Sequence, residues 1–443
     1  MTVLTRPDTD LPGLTPAHPA TGRVPRSWVL ASVLGGLTLV ATIREGGYWH
    51  TESFVIGVAC FVILIAELVL ERPEPRALAV IGSLLLLDAF WMVRAITTVP
   101  GATFLPLGSS ILGFAAAFAA AARLEPKARH VAGQAIAGLG ALVALIGFAG
   151  LTWRWYPMAI PTQGLWRLSS TLTYSDAAGL VLGVCLLIGL ASGPRPWVAR
   201  LSVCLCAAGL LATQSRGAYV AFAVGCVLVP LRQYRMFFVP LAAGVALGAV
   251  AIITSPSKVD VLWLVPATFA AAAVAVAWVP RERRVLSVRV KKAVVVVVAM
   301  VAVAIAAGFA SHHEIGLRTH SPSDGDRTVE WTAALHQFES SPFVGVGPDR
   351  LLQFQAVDGT YAHYAHNEYL QVAADTGIVG LALLGLVGLS LVRGLRRVDV
   401  ISSCAVAALV CWFVGGAFDF DWHLPLIGLL GGAMAGLAMR RAS

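Results

Sequence analysis

The sequence predicts an all-α polytopic membrane protein with about 12–14 transmembrane helices and one large extracytoplasmic, partly helical loop. The chain has 443 residues, of which 58% are hydrophobic and only 13% are charged, about half the charged fraction of a typical soluble domain. Its mean hydropathy is +0.78, and apolar segments recur along its whole length. These properties exclude a soluble enzyme with one anchor, a disordered chain, a coiled coil and a disulfide scaffold.

Fourteen apolar segments are candidates for membrane spans, because a spanning helix needs about 20 apolar residues. Some of them are short and can tilt, break or fuse, so the number of spans is predicted to within about two. The segments are 27–43, 53–70, 77–96, 101–122, 131–151, 172–191, 200–214, 217–231, 236–253, 261–279, 293–310, 376–392, 400–417 and 424–439.

Four regions follow from this pattern. Residues 1–22, rich in Pro and Thr, are expected to form a disordered cytoplasmic tail, and residues 23–310 a transmembrane bundle of about 11 spans. Residues 311–375 form the polar extracytoplasmic loop, and residues 376–443 the C-terminal transmembrane helices. No small-residue cleavage site follows the first apolar stretch, which is therefore predicted to be a retained helix rather than a signal peptide.

The distribution of Lys and Arg predicts the orientation. If the N-terminus is cytoplasmic, the inner tail and loops hold 23 of the 32 Lys and Arg residues. This asymmetry favours a cytoplasmic-membrane protein with both termini inside. The net charge of +8 thus reflects topology and does not indicate binding to nucleic acid. All seven cysteines lie in apolar segments, so we interpret them as core residues rather than as a redox or metal set.

The outer face holds the candidates for chemistry. The inner loops contain no Gly-rich phosphate-binding loop with a Lys, so the use of ATP is not indicated. Catalysis would then occur outside, on a pre-activated substrate. The 311–375 loop carries six of the ten histidines. Arg216 lies between two apolar segments, where a positive charge is costly unless a partner or a ligand compensates it.

Several motifs resemble the O-antigen ligase superfamily, which includes O-antigen ligases, O-antigen polymerases and bacterial O-oligosaccharyltransferases. The main resemblance is His366-Asn367 followed after nine residues by Gly377 and after two more by Gly380. Further similar features occur in the family's order: Ser215-Arg216-Gly217, the segment Arg167 to Asp176, the run Arg327, Trp331, Ser341-Pro342 and Gly345-Val346-Gly347, and the tail from Asp419 to Pro425. Specific similarity covers roughly 210–430, whereas the first 150 residues are similar in hydropathy alone.

The resemblance implies metal-independent, inverting glycosyl transfer without a cofactor, in which 311–375 is the catalytic loop. The donor would be a glycan on a polyprenyl diphosphate, typically undecaprenyl diphosphate, and an acceptor hydroxyl would displace the diphosphate lipid. Arg216 and Arg327 are candidates to neutralise the leaving diphosphate, because guanidinium binds phosphate oxygens bidentately. His366 is the candidate for the base or for the group that orients the acceptor, because an ordinary imidazole pKa near 6.5 suits proton removal at neutral pH. Together with the loop, Arg216 is expected to form one basic cavity that opens sideways to lipid.

Candidate substrate contacts have structural alternatives. The contacts are Asn367, Glu368, His363, Arg167, Asp176 and Trp331. Asp176 could instead cap a helix, and a structural role in packing is the preferred interpretation of Trp331. Arg216 could be a snorkelling interface residue, Arg327 could pair with Asp324 or Glu330, and His366 could cap or pack at a helix junction. A metal held by His363 and His366 with Glu368 or His336 lacks a clear third ligand.

Two classes of function stay open. The first is a glycosyltransferase acting in cell-surface polysaccharide assembly, with membrane lipid, the lipid-linked donor and a lipid- or protein-linked acceptor as partners. The three family activities differ only in acceptor, and the sequence does not separate them. The second class is a transporter of a small anion. Its candidate residue is Asp88, an acid near the membrane midplane that Arg94 could neutralise; no internal repeat supports it.

Overall fold

The computed structural model describes residues 26–70, 73–98, 106–162, 164–193, 196–256, 264–277, 322–348, 354–355, 361–362, 364–395 and 397–439. Helices dominate these residues. Five helices are long and apolar enough to cross a membrane, and seven more are apolar helices of 10–17 residues. The predicted class of an all-α polytopic membrane protein is therefore confirmed. The predicted segment 293–310 and the predicted tail 1–22 lie outside the described residues.

The N-terminal half of the described chain consists of five helices and a hairpin. The helices are α1 (Arg26–Ile43), α2 (His50–Leu70), α3 (Pro75–Thr98), α4 (Pro106–Ala122) and α5 (Pro126–Trp153). Strands β1 (Ala159–Thr162) and β2 (Leu165–Leu168) then form an antiparallel hairpin in which Ile160 pairs with Arg167. A 3₁₀ turn at Ser170–Leu172 leads from this hairpin into the next helix.

The remaining helices complete the bundle. They are α6 (Ser175–Gly189), α7 (Trp197–Ala212), α8 (Arg216–Cys226), α9 (Leu231–Met236), α10 (Phe238–Ile253), α11 (Leu264–Ala277), α12 (Pro322–Ser340), α13 (Glu368–Gly394), α14 (Val400–Gly415) and α15 (Pro425–Ala438). Strands β3 (Phe354–Gln355) and β4 (Tyr361–Ala362) pair between α12 and α13. The helix α6 lies at the centre, because nearly all of its side chains are buried.

Close packing of α15 against α4 forms one part of the core. Glycines recur at every fourth position of α15, at Gly428, Gly432 and Gly436. A methyl group at each of these positions would collide with α4 backbone, at the carbonyls of Ser110 and Phe114 for the first two glycines. Small residues at this spacing let membrane helices approach closely and gain dispersion contacts along their length. This pattern explains why a glycine-rich segment forms a buried helix here.

A break in α13 connects it to α12. Gly377 has φ +64° and ψ −160°, a conformation that is essentially restricted to glycine. The segment after α12 packs into this break. Ile378 and Val379 donate backbone hydrogen bonds to the carbonyls of Pro342 and Phe343, at 2.8 and 3.2 Å. The break therefore fixes the end of α12 against the middle of α13.

Two helix boundaries differ from the predicted segments. The predicted segment 376–392 is part of α13, which begins earlier, at Glu368, because Asn367 caps it and because Gln371 and Asp375 hydrogen bond to each other at 2.9 Å. The predicted segment 217–231 ends as α8 at Cys226, and α9 follows. The predicted outer loop is helical over α12, as expected for a partly helical loop.

Candidate functional site

Polar groups gather at one end of the bundle, where α6, α8 and α13 all begin. The first half of α12, the residues before α13 and the 3₁₀ turn Asp421–His423 between α14 and α15 meet them there. Helix N-termini carry a partial positive charge and unpaired N–H groups, so their convergence favours anions. Several elements that are distant in sequence thus supply one polar site.

His366 is held from one side. Its backbone adopts a left-handed conformation with φ +46°, and the N–H of the preceding residue Ala365 donates to Gln371 at 2.9 Å. Its Nδ1 lies 2.7 Å from Oε2 of Glu330 on α12. The His366 side chain is 25% exposed, whereas that of Glu330 is only 5% exposed. The imidazole is therefore anchored by a buried carboxylate but still accessible.

Arg327 lies one helical turn before Glu330 and faces Asp419. The closest distance from its guanidinium to Oδ2 of Asp419 is 3.6 Å, and the arginine side chain is 34% exposed. Tyr174 donates a hydrogen bond of 2.7 Å to the same carboxylate oxygen. Among the described residues, the structure thus pairs Arg327 with Asp419 of the C-terminal tail rather than with Glu330, one of the two partners considered for it. The side chain of Asp324, the other partner considered, lies outside the described residues. The long ion pair leaves this guanidinium able to meet a ligand.

Arg167 and Asp176 form a second ion pair beside this site. The Arg167 guanidinium donates to Oδ1 of Asp176 at 3.0 Å, and its Nε donates to the carbonyl of Thr213 at 2.9 Å. Ser215 also hydrogen bonds to the Asp176 side chain. Asp176 therefore links the hairpin, the first turn of α6 and the start of α8. It is not the helix cap considered for it, because Tyr174 occupies the N-cap position of α6.

Arg216 is the first residue of α8, and its side chain is exposed. The preceding Ser215 caps the helix by accepting a hydrogen bond of 3.3 Å from the N–H of Ala218. Both neighbours of Arg216 line a small cavity whose polar lining residues are Asp176, Ser215, Arg327, Asp419 and Asp421. The backbone of Arg216 thus lies at this cavity. We expected a basic cavity, but its lining holds more acidic than basic side chains, because the tail contributes two aspartates.

Asn367 and Glu368 are engaged within the protein. The Asn367 side-chain oxygen accepts hydrogen bonds of 3.1 Å from the N–H groups of Tyr369 and Leu370, so Asn367 is the N-cap of α13. Glu368 is fully buried; its Oε1 accepts from the Trp422 N–H at 2.5 Å and lies 3.2 Å from Nδ1 of His423. These contacts position the start of α13 against the 3₁₀ turn.

The two remaining predicted substrate contacts are Trp331 and His363. Trp331 follows Glu330 on α12 and is 37% exposed. His363 lies outside the described residues, as do the other histidines from 312 to 320. Within the residues that the structure describes, no group of three His, Cys, Asp or Glu side chains has the geometry to hold a metal ion.

Aromatic rings border the site. Phe420 stacks on Tyr364 with centroids 4.6 Å apart and on Tyr174 with centroids 5.3 Å apart. His366 forms a T-shaped contact with the same ring, with centroids 5.2 Å apart. The ring of Tyr364 in turn contacts that of His423, with centroids 4.5 Å apart. The stack fixes the two tyrosines and both histidines relative to the tail.

The charged groups at the site shift one another's pKa values. Burial lowers the pKa of Arg327 and of His366, but in both cases the neighbouring Asp419 and Glu330 outweigh burial, and the net pKa is raised. Burial raises the pKa of Asp419, and the nearby Asp176 raises it further. Burial and the other acids hold the pKa of Asp421 well above its usual range. A fully charged set of carboxylates is therefore disfavoured until a cation or a proton joins it.

Sequence reasoning assigned no role to several residues of this site. From the sequence, Glu330 is a candidate only as an ion partner of Arg327, and only similarity to the family marks the tail containing Asp419, Asp421 and His423. No feature of the sequence marks Tyr174 individually. A signal was present in the tail, where two aspartates and a histidine lie between two apolar segments. Charged residues between membrane helices are functional or structural candidates by default.

Comparison with known families gives one match. Residues 263–385 match the family described as O-antigen ligase. No curated protein matches the chain significantly. The matched range is narrower than the region of specific similarity found in the sequence. It contains Arg327, Glu330 and His366 but omits Arg216 and the tail. The match confirms the predicted resemblance: residues 263–385 are similar to the O-antigen ligase family.

Proposed function

We propose that the protein transfers a glycan from a polyprenyl diphosphate to an acceptor hydroxyl, outside the cytoplasmic membrane, in cell-surface polysaccharide assembly. One observation carries this proposal. The accessible His366 is anchored by the buried carboxylate of Glu330, and it lies on an element adjacent to the one that carries the half-exposed Arg327. Arg327 lines one cavity together with the residues that flank Arg216. A base and guanidinium groups are the functions that displacement of a diphosphate requires.

The arginines would neutralise the leaving group. Arg327 is held by a long ion pair and Arg216 is exposed, so both guanidinium groups are accessible to a ligand. Each can bind two phosphate oxygens at once and stays charged at every working pH. A preorganised donor of this kind contributes about 10²–10³ in rate. No metal is needed to neutralise the developing charge in this mechanism.

His366 would remove the proton. Its Nδ1 is occupied by Glu330, and among the described residues no hydrogen bond reaches Nε2. The acceptor oxygen attacks the anomeric carbon, the bond from that carbon to the phosphate oxygen breaks, and the diphosphate leaves with the electron pair. Nε2 takes the proton of the acceptor hydroxyl. One displacement of this kind inverts the anomeric centre.

The polar end of the bundle would lie at the level of the lipid headgroups. Trp153 is the last residue of α5 at this end, and Trp155 and Tyr156 follow it; the three are 72, 57 and 68% exposed. Exposed aromatic residues of this kind concentrate at the membrane interface. The diphosphate of a lipid-linked donor would then meet the arginines while its polyprenyl chain stays in lipid. With both termini cytoplasmic, this end faces outside.

The acceptor decides which member of the superfamily the protein is. Because the family that matches residues 263–385 is described as O-antigen ligase, we favour a ligase, which transfers to a lipid-anchored core sugar such as that of lipopolysaccharide. A polymerase would use a second lipid-linked repeat, and an O-oligosaccharyltransferase a protein hydroxyl. The residues proposed here serve the donor and the proton, which all three activities share.

A transporter of a small anion is the alternative from another class. Asp88 lines a cavity of about 460 Å³ between α2, α3 and α4. Its Oδ1 is buried and has no hydrogen-bond partner among the described residues. Arg94 does not neutralise it, because that guanidinium donates to the carbonyl of Gly345 at 2.8 Å. A carboxylate would repel an anion, so this cavity supports the alternative poorly.

The test is transfer by the purified protein in detergent, with a chelator and without added metal. The radiolabelled donor is the polyprenyl-diphosphate glycan of the native host, and the acceptors are its envelope lipids and proteins. We expect label transfer that Arg216→Ala lowers at least tenfold. Arg232→Ala, which removes an exposed arginine at the start of α9, is the matched control and should not lower it. The labelled acceptor identifies the activity. Absence of transfer, with folded protein and all native acceptors, would overturn the proposal and make Asp88→Asn the next variant.

A further inference from the structure

Glu330 and His366 form a dyad whose geometry is fixed from both sides. The carboxylate is almost fully buried and lies 2.7 Å from Nδ1 of the imidazole. The loop before α13 holds the histidine backbone in a left-handed conformation, which is uncommon for a residue other than glycine. Asn367 caps the helix that follows immediately. The backbone is thus fixed by α13, and the orientation of the ring is fixed by α12.

We infer that Glu330 is the positioning residue that makes His366 a base. The carboxylate keeps the proton of neutral His366 on Nδ1, which leaves the lone pair on Nε2 for the acceptor hydroxyl. It then stabilises the imidazolium that forms when Nε2 takes that proton. A buried carboxylate has the same two effects on the histidine of the Ser-His-Asp triad. This inference rests on the proposed function, because it assigns the role of Glu330 in the same reaction.

The charged groups around His366 act on its pKa in opposite directions. Glu330 and Arg327 face it from α12, and Asp419 faces it from the turn before α15. Burial lowers the pKa of His366, but the two carboxylates outweigh burial and Arg327, and the net pKa is raised. A base must be unprotonated to act. The rate should therefore rise with pH through a midpoint above 6.5, the ordinary value of histidine.

A second histidine–carboxylate pair in the same region serves as an internal comparison. His423 and Glu368 are 3.2 Å apart, but their side chains are only 4 and 0% exposed. No substrate hydroxyl can reach a histidine that is buried to this degree. Exposure of the imidazole separates the pair that can act on a substrate from the pair that holds the fold. We therefore assign the positioning role to Glu330 alone.

The experiment is Glu330→Gln, read in two ways. Diethylpyrocarbonate modifies neutral imidazole, so the modification rate of His366 against pH, measured by mass spectrometry, reports its titration without any need for activity. We expect Glu330→Gln to move this midpoint to lower pH. We also expect the transfer rate to fall about 10²–10⁴-fold, the range that general base catalysis contributes, and the acid limb of its pH profile to move in the same direction.

Glu339→Gln is the matched control, because it makes the same chemical change at an exposed position of α12. It should change neither the midpoint nor the rate. Glu330→Asp, which keeps the charge but shortens the reach, should give intermediate values and serves if Glu330→Gln does not fold. An unchanged His366 midpoint together with an unchanged pH profile would overturn the inference. If the wild-type protein transfers nothing but Glu330→Gln still lowers the midpoint of His366, the proposed function would be overturned and the dyad would stand.

Discussion

Gly377 of the family motif is predicted to act through the backbone, and Gly377→Ala is the change that tests this. The residue has φ +64° and ψ −160°. Placing a side chain in this region costs about 1–3 kcal/mol. A methyl group at this position would also lie 2.5 Å from the carbonyl carbon and oxygen of Phe343. The variant must therefore shift the segment that follows α12 out of the break in α13.

The magnitude follows from the hydrogen bonds that this shift disrupts. Ile378 and Val379 donate to Pro342 and Phe343, and Val346 and Gly347 donate to the carbonyls of Ala374 and Asp375 at 2.9 and 3.0 Å. Each such bond contributes about 1 kcal/mol net. Loss of two or three of them, added to the strain, gives about 3–6 kcal/mol for local opening of the segment. Opening would also release α12, which carries Arg327 and Glu330.

Limited proteolysis with chymotrypsin measures this opening, because Phe343 lies in the segment. A cost of about 3 kcal/mol raises the open population, and with it the cleavage rate at Phe343, about 10²-fold when reclosing is fast. Transfer activity should fall in parallel. Gly385→Ala is the control on the same helix, since a methyl group there meets nothing within 4 Å and favours the helix by about 0.5–1 kcal/mol. Equal cleavage of the two variants would refute the reasoning.

Three further changes test other parts of the site. Asn367→Ala removes the N-cap of α13 and should cost about 1 kcal/mol, which thermal unfolding in detergent would detect as a lowered midpoint. Arg327→Lys keeps the charge but loses bidentate binding. Its kcat/KM for the donor should fall at least tenfold; an unchanged value would remove Arg327 from the site. Asp176→Asn leaves the guanidinium of Arg167 buried without its carboxylate. It should lower stability by about 3 kcal/mol, and a stability equal to wild type would show that the pair is not needed.

The helices were predictable to the extent that their residues are apolar. The segments 27–43 and 424–439 correspond within one residue to α1 and α15. The start of α13 was not predictable from hydropathy, because its first two turns contain Glu368, Gln371 and Asp375. These polar side chains are buried by pairing within the protein, a property that a hydropathy pattern does not record.

The site was predictable only where a motif accompanied the residue. His366 and Arg327 are predicted from motifs. The structure places Asp419 near both of them, so the two residues share one site. Glu330 could not be assigned to His366, because 36 residues separate them and nothing local links the two. Gly345 and Gly377 are required because a Cβ atom at either position would collide with the backbone of the other segment. This requirement likewise depends on the packing of two distant segments. Pairing across the fold, rather than composition, determines these roles.

The central claim is that His366 removes a proton during glycosyl transfer. The most direct measurement is the transfer rate of His366→Ala with the labelled polyprenyl-diphosphate donor, beside His336→Ala, which removes an exposed histidine of α12. Loss of a general base predicts a rate at least about 10²-fold below wild type for His366→Ala, with an unchanged rate for His336→Ala. A His366→Ala variant that transfers at the wild-type rate would contradict the account.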